Sequence, residues 1–201
     1  MKPVGILALQ GDFAAHGHIL DALGVSWRLV KTPADLAQVE GLILPGGEST
    51  TLLKLLHSSG LWEALTRYHA NAQPLFGTCA GLIILARETI QPAQESLGCI
   101  DIVAARNAYG RQVDSFIDHG TPLDTEALGT TPLEMVFIRA PKIVQLGPDV
   151  QPLVTCRDEV VLARQGSVLV SAFHPELTTD HRVHQYFLRM ITASVAALPV
   201  H

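Results

Sequence analysis

Gly77-Thr78-Cys79-Ala80-Gly81 follows the apolar Pro74-Leu75-Phe76 and opens a helical pattern. Small residues on both sides of a thiol-bearing one are what a sharp strand-to-helix turn demands, because larger flanking side chains would collide with neighbouring backbone when the central residue is pushed outward. Short apolar runs alternate with longer amphipathic ones throughout the first half, which extends the same βα pattern into a mostly parallel sheet. Val4 to Leu9, Trp27 to Val30, Gly41 to Pro45 and Pro74 to Phe76 read as strands; Ala14 to Leu23, Thr50 to Leu56, Leu61 to Ala70 and Ala80 to Glu88 read as helices. On this reading Cys79 is exposed at a helix N-terminus, where unpaired amides favour the attacking thiolate. Free cysteines are also among the most buried residues, so the pentapeptide alone leaves nucleophile and core residue about equally supported.

The second half changes character. Ile100 to Ala105, Gln112 to Phe116, Met135 to Arg139, Leu153 to Arg157, Val160 to Arg164 and Ser167 to Phe173 are short strand-like runs, which predict a mixed or antiparallel extension of the sheet, closed by a helix from about Asp180 to Ala197. With 201 residues, 48% hydrophobic, the chain suits a single domain spanning residues 1–201 around one core. A net charge of −5 offers no basic stripe for nucleic acid, and no apolar stretch approaches the ~20 residues of a membrane-spanning helix. Three cysteines without metal-ligand spacing suggest neither disulfides nor a metal site, and point to a reducing, cytoplasmic setting. Cys99 and Cys156 lack the turn around Cys79 and read as core residues.

A thiol nucleophile needs a base. Phe173-His174-Pro175-Glu176 ends the last strand-like run, and in extended backbone His174 and Glu176 project to the same side, so the carboxylate can orient the imidazole. A surface histidine beside a proline turn is the bland alternative, and the better one for any lone histidine. The remaining histidines sit beside polar neighbours and read mostly as solvated. Pro45-Gly46-Gly47-Glu48-Ser49-Thr50 follows the third strand and brings backbone amides near a ligand; Gly47 N–H and Ala80 N–H form a candidate oxyanion hole. A plain helix start capped by Ser49 or Thr50 is compatible with that role. Arg106 and Arg139 each end a strand-like run, where a guanidinium suits an amino-acid carboxylate; taken singly, each reads better as a surface charge.

Taken together and in order, these segments resemble the glutaminase subunits of pyridoxal 5′-phosphate synthases, within the class I glutamine amidotransferases. The likeness runs over almost the whole chain: Leu9-Gln10-Gly11, Leu44 through Thr51, Phe76 through Gly81, Arg106-Asn107, Gly110 through Phe116, Phe137 through Pro141 and Phe173 through Thr178. It implies a three-layer, flavodoxin-like α/β fold with a mostly parallel central sheet flanked by helices. It also implies Cys79 as nucleophile, His174 as base, Glu176 as its orienting group, and glutamine held by Gly47, Glu48, Ser49, Arg106, Ile138 and Arg139. No metal or organic cofactor is implied. The implied partner is a (β/α)8 synthase subunit in a large hetero-oligomer, which receives ammonia from a glutaminase nearly idle until docked, with the Gln10 region responding. The chain departs from the family at Ala15, where members often carry a glutamate before the histidine of the first helix. A free-standing cysteine hydrolase and a non-catalytic interaction subunit are the competing readings. The two arginine segments argue against the first, and the intact thiol, imidazole and carboxylate against the second.

Overall fold

A computed structural model of the chain describes residues 2–106 and 115–196. Its first half runs β1 (Val4–Leu7), α1 (Phe13–Ala22), β2 (Trp27–Val30), α2 (Pro33–Leu36), β3 (Leu42–Leu44), α3 (Ser49–Ser58), α4 (Leu61–Ala70), β4 (Leu75–Thr78) and α5 (Ala80–Leu85). There follow β5 (Ala86–Ile90), β6 (Ile100–Ala105), β7 (Ser115–Pro122), α6 (Thr125–Leu128), β8 (Leu133–Ile138), β9 (Lys142–Leu146), β10 (Gln151–Cys156), β11 (Glu159–Gln165) and β12 (Val168–Ser171). A 3-10 turn at Pro175–Leu177 and α7 (Arg182–Ala196) close the described chain.

Nine strands form one sheet in the order β2-β1-β3-β4-β12-β11-β10-β7-β8. The first five run parallel, and every pairing from β12 outward is antiparallel. Burial follows this division. Val4–Leu7, Leu42–Leu44, Leu75–Thr78 and Val168–Ser171 are buried throughout, as parallel strands covered on both faces must be. In β8, buried and more exposed residues alternate, so that half of the sheet covers its core on one face. The helices that flank the sheet add Leu52, Leu56, Leu65, Phe187 and Ile191 to the core. The α/β class and the antiparallel extension are thus as expected from the sequence.

Local signals set the helix starts. Asp12 caps α1 through Ala15 N–H, Thr32 and Asp35 form a reciprocal capping box on α2, and the Glu48 carboxylate caps α3. Glu48 therefore takes the capping role the sequence suggested for Ser49 or Thr50.

Several boundaries differ from expectation. The helix expected to run to Glu88 stops at Leu85, because Ala86 turns to extended backbone and β5 pairs in parallel with β6 in a separate three-stranded sheet with β9. Partners distant in sequence decide that switch, and the local pattern does not register them. Lys142–Leu146, hidden behind Pro141, was not anticipated as a strand. The strand expected from Gln112 lies outside the described residues up to Asp114, and from Ser115 onward it continues as β7 to Pro122. Among the described residues, no helix is long and apolar enough to cross a membrane.

Candidate active site

Three adjacent parallel strands end together. In the ladder Leu44 of β3 lies opposite Gly77 of β4, and Thr78 lies opposite Ser171 of β12. The segments leaving those ends are Pro45-Gly46-Gly47, the Cys79 turn and Phe173-His174. In open α/β sheets the carboxyl ends of the strands are where ligands bind. A cleft of about 320 Å³ opens there, lined by Gly46, Gly47, Glu48, Ser49, Cys79, Arg106, Ile138, Arg139 and His174, with Asp12, Ile83 and Leu177 completing the wall. Six of the expected residues, Gly47, Glu48, Ser49, Arg106, Ile138 and Arg139, thereby line one cavity beside Cys79 and His174, while Ala80 and Glu176 are buried outside its lining.

Cys79 has φ 47° and ψ −100°, a conformation L-residues avoid, immediately before α5. Gly77 and Gly81 permit it: a methyl on Gly77 would sit 2.6 Å from the Gly81 carbonyl, and one on Gly81 would overlap Leu44 O. Cys79 is not exposed as expected. At 6% accessibility it is as buried as Cys99 at 6% and Cys156 at 7%, so burial does not separate the three. Their surroundings do. Burial pushes the Cys99 thiol up to about 12 and that of Cys156 to about 11, whereas Cys79 lines the cleft beside the His174 imidazole and lies 4.0 Å from Ile138 O.

His174 Nδ1 donates to Glu176 Oε1 at 2.7 Å. The extended geometry expected for this pair is replaced by a turn: His174 precedes the 3-10 turn, and Pro175 starts it. A bond from His174 N–H to Val136 O, 2.8 Å, ties the turn to β8. Burial pulls the His174 pKa down, but the hydrogen bonds and charges of Cys79 and Glu176 outweigh it and hold the group at about 10. Burial likewise opposes ionisation of Glu176, and the facing histidines overcome it, leaving the carboxyl below its usual range. With Nδ1 bonded to the carboxylate, Nε2 is the nitrogen left to face the thiol.

The side chains of the glycine loop are otherwise engaged. Glu48 accepts from the N–H and hydroxyl groups of both Thr50 and Thr51, which lowers its pKa to about 2. Ser49 Oγ donates to Gln94 Oε1, 3.0 Å. The loop therefore offers the cleft its backbone. Gly46 is pinned there, since a methyl on it would overlap His174 Cε1 and lie 3.3 Å from Cys79 Cβ. Gln10 Oε1 accepts from Glu48 N–H at 3.1 Å and its amide lies against Gly47, which has φ 148°. Arg106 Nε is buried with no hydrogen-bond partner among the described residues, and Arg139 holds φ 42° at the cleft rim. Asn107 and the Gly110 to Asp114 segment lie outside the described residues.

The expectation that the other histidines are solvated fails at His16 and His184, both 0% accessible. His16 Nδ1 lies 2.9 Å from His184 Nε2, and His16 Nε2 lies 3.5 Å from Glu176 Oε2, behind the His174 pair. A signal was available. His16, Ile19 and Leu20 share one face of α1, and His184, Phe187 and Ile191 share one face of α7, so each histidine stands on an apolar helical stripe.

The chain has relatives over almost its whole length. A pyridoxal 5′-phosphate synthase subunit PdxT of Deinococcus radiodurans is 52% identical over 190 residues, covering 92% of this chain and 95% of that protein. The PdxT subunit of Thermosipho africanus is 46% identical over 188 residues, covering 94% and 98%. A crystal structure of a glutamine amidotransferase superposes with a TM-score of 0.87 at 44% identity, over 94% of this chain and 98% of that one. A GMP synthase subunit of Thermoplasma acidophilum shares the fold at a TM-score of 0.72 and 14% identity, covering 98% and 96%. The sequence profile of the SNO glutamine amidotransferase family matches residues 6–193, and the chain belongs to that family.

Proposed function

We propose that this chain, acting as one glutaminase domain in the cytoplasm, hydrolyses L-glutamine to L-glutamate and ammonia. In this reading it is the glutaminase subunit of a pyridoxal 5′-phosphate synthase, and it delivers the ammonia to a (β/α)8 synthase subunit within a larger hetero-oligomer. The observation that carries the reading is the pair Cys79 and His174 in the cleft, with Glu176 bonded to His174 behind it and, in the cleft wall, a buried Arg106 guanidinium nitrogen with no hydrogen-bond partner among the described residues. Relatives of 46 to 52% identity carrying the name of that subunit support the assignment.

In the proposed chemistry His174, held charged at neutral pH, carries the Cys79 proton on Nε2, and the thiolate attacks the side-chain carboxamide carbon. The tetrahedral oxyanion accepts from Gly47 N–H and Ala80 N–H. His174 returns its proton to the departing nitrogen, ammonia leaves, and a γ-glutamyl thioester remains. His174 then deprotonates water for attack on the thioester, releasing glutamate and restoring the thiol. Arg106 and Arg139 hold the α-carboxylate beside Ile138, and the backbone of Gly47, Glu48 and Ser49 completes the substrate contacts. The chemistry as written uses no metal or organic cofactor.

The test is glutamate release from glutamine by the purified chain, with and without an added synthase subunit. Slow hydrolysis alone and strong stimulation by the synthase are expected, with Cys79→Ala abolishing both. Equally fast hydrolysis alone would favour an independent hydrolase, and full activity in Cys79→Ala would overturn the mechanism.

A further inference from the structure

Behind the thiol–imidazole pair the buried carboxylate of Glu176 meets a second imidazole, contributed by a helix from the opposite end of the chain. Glu176 Oε1 takes His174 Nδ1–H at 2.7 Å, and its Oε2, buried without a hydrogen-bond partner among the described residues, faces His16 Nε2 at an ion-pair distance of 3.5 Å, with both the Glu176 and His16 side chains fully buried. Thr78 Oγ1 lies 3.4 Å from the same His16 nitrogen, and His184 Nε2 lies 2.9 Å from His16 Nδ1. His184 Nδ1 is buried without a hydrogen-bond partner among the described residues.

These contacts select one arrangement of protons. An ionised carboxylate only accepts, so His16 Nε2 must carry its proton toward Glu176; His16 Nδ1 then accepts from His184 Nε2–H, and the unpartnered His184 Nδ1 is a lone pair. Reversing the chain would set a nitrogen lone pair against the carboxylate and strand a buried N–H at His184, the costlier kind of orphan. Both rings stay neutral: burial lowers the pKa of each, against the pull of Glu176 and Asp12 on His16, and together with the repulsion of His174 on His16 and of His16 and His181 on His184.

We infer that His16 is a positioning residue for Glu176: its Nε2–H, oriented by His184, supports the buried carboxylate in the ionised form and rotamer that fix the His174 ring. The inference rests on the reading of Cys79 and His174 as a working pair, deepening it by one shell that neither the motif nor the cleft contains. Without that donor the carboxylate faces burial with one supporting imidazole. It then takes up a proton more readily, and His174 loses the anion that favours its charged form.

Two measurements decide it, and neither needs glutamine. In the unmodified protein, nitrogen NMR of 15N-histidine-labelled chain at neutral pH should show His16 protonated at Nε2 and bare at Nδ1; the opposite tautomer overturns the inference. The second is the pH profile of Cys79 alkylation by iodoacetamide in the wild type, His16→Gln and His16→Asn, with Cys79→Ala correcting for Cys99 and Cys156. A glutamine amide reaches the place of Nε2, and an asparagine amide only that of Nδ1. His16→Gln should track the wild type, while His16→Asn should move the midpoint up by about one pH unit and slow alkylation about tenfold at pH 7. Equal displacement of both variants, or of neither, overturns the inference; should His16→Asn fail to fold, the tautomer alone decides. A chain that keeps this profile yet releases no glutamate would refute the proposed function and leave the positioning of Glu176 standing.

Discussion

Gly46 shows how tightly the site is built. Its backbone is in an ordinary region, so alanine meets no conformational penalty there, but the added methyl would overlap His174 Cε1 and press within 3.3 Å of Cys79 Cβ. Gly46→Ala is expected to fold and to lose about a hundredfold in kcat/KM for glutamine, the scale on which small displacements of reacting groups act. Synthase-stimulated glutamate release, paired with a thermal melt, checks this; an unchanged rate would mean the imidazole has room to retreat. Residues at this scale also separate three cysteines of nearly equal burial. Only Cys79 combines positive φ with an imidazole partner, whereas Cys99 and Cys156 are ordinary buried thiols.

At the scale of elements, the glycine loop and α3 form one device. The Glu48 carboxylate satisfies the Thr50 and Thr51 amides, and Gln10 holds the Glu48 N–H from the other side. Glu48→Ala should cost about 1 kcal/mol, as lost N-caps do, and lower the melting temperature by about 2–4 °C. The carboxyl is depressed from 4.5 to about 2, so the cap contributes fully above pH 4.5 and fades as pH falls through about 2. Because Glu48 is solvent-exposed, its ionic part is screened, and the hydrogen bonds carry most of the effect. The gap between wild type and Glu48→Ala in melts at pH 7 should therefore narrow toward pH 2. A constant gap would assign the effect to packing instead.

For the whole molecule, three buried imidazoles set opposite pH slopes. His16 and His184 titrate below the 6.5 of the unfolded chain, so their contribution is complete above pH 6.5 and is lost as pH falls from there. His174 titrates near 10, so its contribution is complete below pH 6.5 and is lost as pH rises through 10. Urea denaturation between pH 5 and 10 should place maximum stability near pH 6.5. His184→Gln should be less stable overall, with a shallower acid limb, and an acid limb as steep as the wild type's would remove His184 from this account.

What the sequence determined by itself is local and periodic. Continuous apolar runs such as Leu42–Leu44 and Leu75–Phe76 marked parallel strands buried on both faces, and the small residues around Cys79 marked the strand-to-helix turn. The cleft residues were legible because the segments that carry them follow strands whose carboxyl ends are neighbours in a parallel sheet. Tertiary structure alone decided what depends on partners distant in the chain. Pairing with β6 made a strand of Ala86–Ile90, and the start of α3 engaged the Glu48 carboxylate as its cap. Packing of α1 and α7 drove His16 and His184 against Glu176, a contact between residues that are neighbours only in the folded chain. A histidine on an apolar stripe announces that it will be buried. Which proton it holds, and for whom, depends on what the fold sets beside it.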